Sequence, residues 1–311
     1  MPRTRREAEA VGGTRNLGAA PLSGRTLRIA VGIVTAGRPT MLPEVLAELR
    51  HQTRAPDRLI VCHAVPSDVS FVPPGAAELL ASRPGIAVQR NRVLDAVGDC
   101  DVVVFFDDDF LPAADWLAKA EALFLRDRHA VVITGHVLAD GAKGPGIAPE
   151  AGRLVLRADA GGDGAMPADN GYGCNMALRL APMRTHGLRF DERLPLYGWY
   201  EDIDLTRRLG RHGNILRCYG ARGVHLGVKS GRVSGVRMGY SQIANPIYLA
   251  RKGSYPWLHA LKSMGRHLAA NLLRSLAPEP WVDRRGRLRG NCIALADALR
   301  GRLVPERILT L

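Results

Sequence analysis

The chain has 311 residues, enough for one large domain or two modest ones, and 46% of them are hydrophobic, as in ordinary globular proteins. Its net charge of +13 is uneven, because residues 1–28 carry six Arg against two Glu and residues 251–311 carry twelve Lys or Arg against four acids. No apolar run approaches the roughly 20 residues that cross a bilayer, no aromatic-studded basic motif supports nucleic-acid binding, and five scattered cysteines favour reduced thiols in a cytoplasmic protein.

Strands and helices alternate along the first half of the chain. Residues 1–27 are predicted to form a disordered, basic leader. Strands are predicted at 27–35, 59–63, 86–89, 102–106 and 130–138, and helices near 40–52, 92–97 and 113–125. This alternation predicts βαβ units and an α/β fold with a mostly parallel central sheet flanked by helices.

The second half is less regular. Residues 140–173, rich in Gly, Ala and Asp, are predicted to hold a long, mobile loop that binds substrate. A short apolar run at 174–178, a helix at 201–212 and short strands at 215–219 and 224–226 follow, and the tail contains an amphipathic helix from 257 and another helix at 292–300. The apolar stripe of the first tail helix comprises Trp257, Leu261, Met264, Leu268, Leu272 and Leu276.

Three consecutive aspartates, Asp107, Asp108 and Asp109, follow the apolar strand at 102–106. Open α/β sheets bind ligands at the carboxyl ends of their strands, and adjacent carboxylates raise one another's pKa values unless a cation neutralises them. Hard divalent cations prefer such oxygen ligands. Taken alone, the triplet fits a metal site and a solvated acidic turn about equally well.

A second group of polar and aromatic residues begins at Trp199. Glu201 and Asp202 suit the first turn of a helix, where acids complement the helix dipole, so capping is one interpretation. Trp199 and Tyr200 precede them; aromatic faces stack on sugar rings, and a neighbouring carboxylate can act as a general base. His225 follows, either as a packed residue or as a ligand.

Together these motifs resemble the family 2 glycosyltransferases of the GT-A fold, over residues 28–229. The segments that carry the resemblance are VGIVTAGRP, QRNRVLDAV, FFDDDFLP, GYGCNMALRLAPMRTHGLRFDERL, WYEDIDLTRRLGRHG and VHLG, and the tail segment GYSQIANPIYLARKG resembles bacterial exopolysaccharide-type members. The resemblance implies an inverting transfer of sugar from a nucleotide-diphosphate sugar to a hydroxyl of a glycan or lipid-linked acceptor in polysaccharide biosynthesis.

The resemblance also implies roles for individual residues. Asp107, Asp109 and His225 would hold Mn²⁺ or Mg²⁺ against the nucleotide diphosphate, Asp108 would lie near the ribose or donor sugar, and Asp202 would be the base that deprotonates the acceptor. Nucleotide contacts are implied for Thr35, Ala36, Gly37, Arg38, Asp68, Arg90, Asn91, Asp107 and Asp108. Contacts with the donor sugar or acceptor are implied for Gly173, Asn175, Trp199, Tyr200 and Glu201. Helix capping by Arg90 and Asn91, and a tight turn at Gly173 and Asn175, are the structural alternatives.

Two other functions compete with this interpretation. A carboxylate-metal nuclease or phosphotransferase also clusters acids, but the chain has no Walker A motif. A non-catalytic carbohydrate-binding protein has no need for a metal triplet, a Glu-Asp pair and a His in this order. The predicted organisation is a catalytic domain at 28–230 and a basic helical extension at 231–311, which either lies peripherally on the inner face of an anionic membrane or packs as core.

Overall fold

The computed structural model describes residues 26–231 and 233–311, so the predicted leader at 1–27 lies almost wholly outside the described residues. The strands are β1 (Ile29–Thr35), β2 (Arg58–His63), β3 (Glu78–Ala81), β4 (Val102–Asp107), β5 (Phe110–Pro112), β6 (Ala130–Asp140), β7 (Ala165–Pro167), β8 (Asn175–Arg179) and β9 (Asn214–His225). The helices are α1 (Leu42–Arg50), α2 (Ile86–Ala96), α3 (Trp116–Arg126), α4 (Pro149–Ala158), α5 (Leu180–Thr185), α6 (Glu201–Leu209), α7 (Gly235–Lys252), α8 (Trp257–Arg274) and α9 (Arg284–Leu299).

The strands of the described chain form one sheet in the order β3-β2-β1-β4-β8-β6-β9-β5, with β7 attached to β9. β1 pairs in parallel with β2 and β4, β2 with β3, and β6 with β9. β8 is antiparallel to both β4 and β6, and β5 and β7 are antiparallel to β9, so six strands share one direction and three oppose it. The predicted α/β fold with a mostly parallel sheet is confirmed.

Helices cover both faces of the sheet. Along β1, Ile29, Val31 and Ile33 belong to one apolar cluster, with α1 and α3, whereas Ala30 and Val34 belong to the other, with α2, α5 and α6. Successive side chains of a strand point to opposite faces. Strands buried on both faces need apolar residues at nearly every position, which is why β1 and β4 were visible in the sequence.

The strand predicted at 86–89 is wrong. Those residues form the first turn of α2, and the third strand is β3 instead. The start of the helix was missed because α2 buries the polar residues Gln89, Arg90 and Asn91, so its apolar residues do not show a helical periodicity. The strand was missed because β3 is an edge strand whose side chains are mostly exposed.

The loop predicted at 140–173 also needs correction, because it contains α4 and β7. Pro149 occupies the first turn of α4, where its fixed φ favours helix initiation. The two short strands predicted at 215–219 and 224–226 are parts of one strand, β9, which is interrupted by a shift in its register with β6 between Gly135 and His136.

Three long helices make up most of the C-terminal extension, and buried apolar residues of α7 and α9, with Leu303 and Ile308, form a cluster of their own. The first of them, α7, was not predicted, and α9 begins eight residues before the predicted 292 because Asp283 accepts the Gly286 N–H at 2.7 Å. α7 and α9 approach closely at two glycines: a Cβ on Gly239 would lie 2.0 Å from the Arg287 carbonyl oxygen, and one on Gly290 would lie 2.1 Å from that of Val236. The predicted boundary at 230/231 stays a prediction.

Candidate functional site

The acidic triplet spans the end of β4 and the turn into β5. Asp107 is the last residue of β4, and Phe110 begins β5 directly after Asp109. β9 runs between β5 and β6, so that His225 is in register with Phe110 on one side and with Asp140 on the other. The sheet therefore brings three strand ends to one edge, and Asp107 and His225 meet there although they are more than 100 positions apart in the sequence.

Asp107, Asp109 and His225 each offer a ligand atom, and these atoms lie within 4.8 Å of one another. His225 Nε2 is 3.4 Å from Asp109 Oδ1 and 3.9 Å from Asp107 Oδ2. Asp109 Oδ1 is buried and has no hydrogen-bond partner among the described residues. An unpartnered buried carboxylate oxygen beside an imidazole nitrogen suits a divalent cation, so the residues present fit a metal.

Asp140 orients the imidazole of His225. Its Oδ1 lies 2.9 Å from His225 Nδ1, and the same carboxylate accepts hydrogen bonds from the hydroxyl of Tyr172 and the N–H of Ala142. A proton held on Nδ1 by Asp140 leaves Nε2 as the ligand atom. Burial alone lowers the pKa of His225, but Asp109 and Asp140 outweigh it and raise that pKa to about 10, which reflects a strongly anionic surrounding.

Asp108 turns away from this cluster towards the end of β1. It accepts hydrogen bonds from the Thr35 hydroxyl and from Arg38 Nη1, both at 2.7 Å. Arg38 Nη1 also lies 3.2 Å from Asp109, and Arg38 donates to the carbonyl groups of Val228 and Ser230. Burial raises the pKa of Asp108 to about 7, against the opposing charge of Arg38.

A cleft of about 230 Å³ opens over these residues. Its walls come from the end of β1, the start of α2, the acidic triplet and two later loops. The lining residues are Val34, Thr35, Ala36, Arg38, Pro84, Gly85, Ile86, Gln89, Asp107, Asp108, Asp109, Leu196, Tyr197, His225, Gly231 and Val233. The cleft is concave, partly apolar and edged by acids, as small-molecule sites commonly are.

Arg90 connects the triplet with the second acidic group. Its guanidinium is fully buried and donates to Glu201, to Asp107 at 3.0 Å and to the Gly173 carbonyl at 2.7 Å. The rings of Phe105 and Phe190 flank it at 5.4 and 5.5 Å. This cation is thus fixed between two groups of carboxylates, and helix capping does not describe its role.

Asp202 lies on the other side of Gly173. Its Oδ2 accepts the Gly173 N–H and its Oδ1 accepts the Ile203 N–H, both at 2.8 Å. Burial raises the pKa of Asp202 above its usual 3.8, although these N–H groups and Arg90 oppose the rise. The neighbouring Glu201 is buried more completely, and burial raises its pKa to about 8. Burial therefore raises the pKa of both carboxyl groups of this pair.

Aromatic rings border Asp202. Trp199 and Tyr200 stack with ring centroids 5.0 Å apart, and Tyr197 stacks on Trp199 at 6.1 Å. Tyr200 (φ 74°) and Leu196 (φ 57°) are the non-glycine residues with positive φ in the described chain. Such backbone strain clusters at functional sites, and here it is confined to the segment between the cleft and Asp202.

Three residues implied as ligand contacts make hydrogen bonds to other parts of the chain. Asp68 accepts the backbone N–H groups of Gly37, Ala64 and Val65, and so holds the loop after β1. Asn91 bonds both backbone polar groups of Phe190. Asn175 is fully buried; its Oδ1 accepts a hydrogen bond from the Thr134 hydroxyl at 3.4 Å, whereas its Nδ2 has no hydrogen-bond partner among the described residues. None of the three lines the cleft, and their implied contacts with the nucleotide, donor sugar or acceptor stay predictions.

Sequence reasoning missed Asp140 and placed it at the start of a mobile loop. One sequence signal could have indicated a role for Asp140, because it lies at the end of a strand just as Asp107 does. What the sequence did not reveal was the parallel pairing of β6 with β9, which sets Asp140 beside His225.

No family model and no curated protein matches the chain, but solved structures match its fold. The fold is the GT-A type of glycosyltransferases. S. aureus TarS, residues 1–349, aligns with a TM-score of 0.53 at 14% identity, covering 91% of this chain and 82% of that one. A mannosyltransferase from Pyrobaculum calidifontis, solved with GDP-Man and Mn²⁺, gives 0.51 at 16% identity over 92% and 90%. GalNAc-T7, solved with UDP, GalNAc and Mn²⁺, gives 0.52 at 13% identity over 89% and 58%.

Proposed function

We propose that the protein is a metal-dependent glycosyltransferase that moves a sugar from a nucleotide-sugar donor to a hydroxyl acceptor. The observation that carries the proposal is the cluster of Asp107, Asp109 and His225 at the carboxyl end of a buried strand on the GT-A fold. Two proteins of the same fold were solved with Mn²⁺ and with GDP-Man or UDP, which supports Mn²⁺ or Mg²⁺ and a nucleotide-diphosphate sugar as ligands here.

On the donor side, Asp107, Asp109 and His225 would hold the ion, and the cleft beside them would take the nucleotide. The ion, when bound, supplies Lewis-acid stabilisation of the departing diphosphate. Asp108 is held by Thr35 and Arg38 at the wall of the cleft. From there it is available to a hydroxyl of the ribose or donor sugar.

On the acceptor side, Asp202 would remove the proton from the attacking hydroxyl. Two N–H groups fix its carboxylate, and burial brings its pKa closer to neutral pH, which suits a general base. The acceptor oxygen would then attack the anomeric carbon opposite the leaving diphosphate, which inverts the configuration. Trp199 and Tyr200, which precede Asp202 in the chain, would border an acceptor sugar. The finer assignment is a family 2, exopolysaccharide-type hexosyltransferase acting on a glycan or lipid-linked acceptor.

The test is a panel of UDP-, GDP- and TDP-sugars incubated with Mn²⁺ or with EDTA, with released nucleotide as the readout. We expect release from one donor, which EDTA abolishes and Asp202→Asn reduces by at least about 100-fold. Asp204→Asn does not serve as the control because its carboxylate is buried and ion-paired. The exposed Asp163→Asn is a suitable control, and its release should match the wild type.

Three outcomes would contradict the proposal. Full transfer by Asp202→Asn would show that another group is the base. Cleavage of phosphodiesters without sugar transfer would identify a carboxylate-metal nuclease or phosphotransferase. Binding of sugar without any turnover across the donor panel would identify a carbohydrate-binding protein.

A further inference from the structure

The helix α8 carries an exposed apolar face. Five of its large apolar side chains are at least half exposed: Trp257 (50%), Leu258 (60%), Leu261 (57%), Leu272 (55%) and Leu273 (69%). Leu276, just beyond its end, is 84% exposed. Single exposed apolar residues are normal, but a contiguous set on one helix marks an interaction surface.

The face that packs on the protein is a different one. The buried residues of α8 are Ala260 and Asn271, and Asn271 donates to Gln242 on α7 and Asn291 on α9. Only Met264 of the predicted stripe packs against the C-terminal apolar cluster. At 100° per residue, Ala260 and Asn271 lie on one side of the helix and the exposed leucines lie on another. Of the two interpretations open from the sequence, packing as core does not account for this stripe.

The surroundings of the exposed face are basic. α8 contains no acidic residue, and Lys262 and Arg266, both exposed, have no ion-pair partner in the described part of the chain. A second copy docked face to face would bring these cations together, and the leader at 1–28, with six Arg against two Glu, is of the same sign. Electrostatics therefore favours an anionic partner over a second copy of the chain or its own basic leader.

We propose that α8 is a docking surface for an anionic lipid bilayer, on which it lies in the interface with its leucines inserted. An amphipathic helix binds membranes in this way when apolar residues occupy one face and Lys or Arg flank it. Its 18 residues span about 27 Å, and no helix in the described ranges is long and apolar enough to cross a bilayer. The helix would thus attach the protein to one leaflet of the bilayer without crossing it.

The same helix contacts the acceptor side of the site. Ser263 shares a hydrogen bond with the Tyr200 hydroxyl, and His267 packs edge-on against Trp199 with ring centroids 5.5 Å apart. Docking through α8 would therefore hold Asp202 and its aromatic neighbours close to the lipid headgroups. Resting on the proposed function, this placement favours an acceptor sugar carried by a lipid over a free glycan.

Vesicle flotation tests the docking surface. The probes are vesicles of phosphatidylcholine with phosphatidylglycerol, and of phosphatidylcholine alone. We expect the full chain to bind the anionic vesicles and to be released by salt. Lys262→Gln and Arg266→Gln should each weaken binding by about fivefold. The triple variant Leu261→Gln/Leu272→Gln/Leu276→Gln should weaken it by more than about tenfold.

Matched controls use exposed residues outside α8: Leu154→Gln, whose side chain is 63% exposed on α4, and Arg128→Gln. Both should bind vesicles as the wild type does, and circular dichroism of all variants should be unchanged. Absence of wild-type binding, or undiminished binding by the triple variant, would overturn the proposal. So would sedimentation showing a dimer that the triple variant separates into monomers, because a second copy would then cover the face.

The two proposals fail separately. Asp202→Asn should bind vesicles like the wild type, and the triple leucine variant should release nucleotide from a donor in the absence of vesicles like the wild type. If the triple variant loses vesicle binding but turns over the donor normally, the docking surface is supported and the proposed glycosyltransferase reaction is unaffected. Docking by a protein that turns over no donor would reject the glycosyltransferase and leave the surface assigned.

Discussion

Replacing Arg90 with Met should strongly destabilise the protein at pH 7. The guanidinium is fully buried, and it neutralises Glu201 and Asp107 while it donates to the Gly173 carbonyl. Met keeps most of the aliphatic volume but leaves the carboxylates without their cation. Breaking one partner out of a buried ion pair typically costs about 3–5 kcal/mol. For a chain of this length that corresponds to a fall in Tm of about 5–8 °C.

A second substitution isolates the charge effect. Burial raises the pKa of Glu201 against the opposing charge of Arg90, so without Arg90 this buried acid loses both its cation and its hydrogen-bond donor. Glu201→Gln in the Arg90→Met background removes the unpaired acid, so the double variant should recover part of the lost free energy of unfolding. We expect the two substitutions to be non-additive by about 1–3 kcal/mol, as neighbours in one network are.

Thermal and urea unfolding of the four proteins measure this cycle, with the surface variant Arg83→Met as the control. Arg83 is exposed and pairs with an exposed Glu192, so its loss should change stability by less than about 1 kcal/mol. Additive effects at Arg90 and Glu201, or a loss at Arg90 no larger than at Arg83, would refute the view that a buried cation holds the two acidic groups together.

Two further predictions concern the site. Asp140→Asn should weaken Mn²⁺ affinity by about 10–100-fold because it removes the charge that orients His225; Mn²⁺ titration checks this against Asp159→Asn, and equal affinity in the two variants would contradict it. The acid limb of kcat/KM should lie above pH 3.8, since the base must be ionised and burial raises the pKa of Asp202. Activity then falls as the pH drops through that raised pKa; a pH profile at saturating Mn²⁺ with a midpoint at or below 3.8 would speak against Asp202.

Local patterns were sufficient for some elements and not for others. β1 and β4 are buried on both faces, so their apolar runs marked them in the sequence, and the strand-end rule located the acidic triplet. The start of α2 was not predicted as helix because its buried positions include the polar residues Gln89, Arg90 and Asn91, whose hydrogen-bond partners lie elsewhere in the chain. The role of Asp140 was not predicted for the same reason. Its hydrogen-bond partner His225 is 85 residues away, on a strand whose pairing cannot be predicted from a local sequence pattern.

The balance of charge around the cleft bears on what can bind there. Asp107, Asp108 and Asp109 line the cleft together with Arg38 and His225. Outside its lining, Asp140 pairs with His225, and Arg90 pairs with Asp107 and Glu201. Arg38 and Arg90 are already committed to carboxylates on either side of the triplet. A nucleotide diphosphate is itself anionic and would be repelled by such a surface. A divalent ion bound between Asp107, Asp109 and His225 would reverse the sign of the field at the point where the diphosphate has to lie, so metal and donor are expected to bind cooperatively, the metal first.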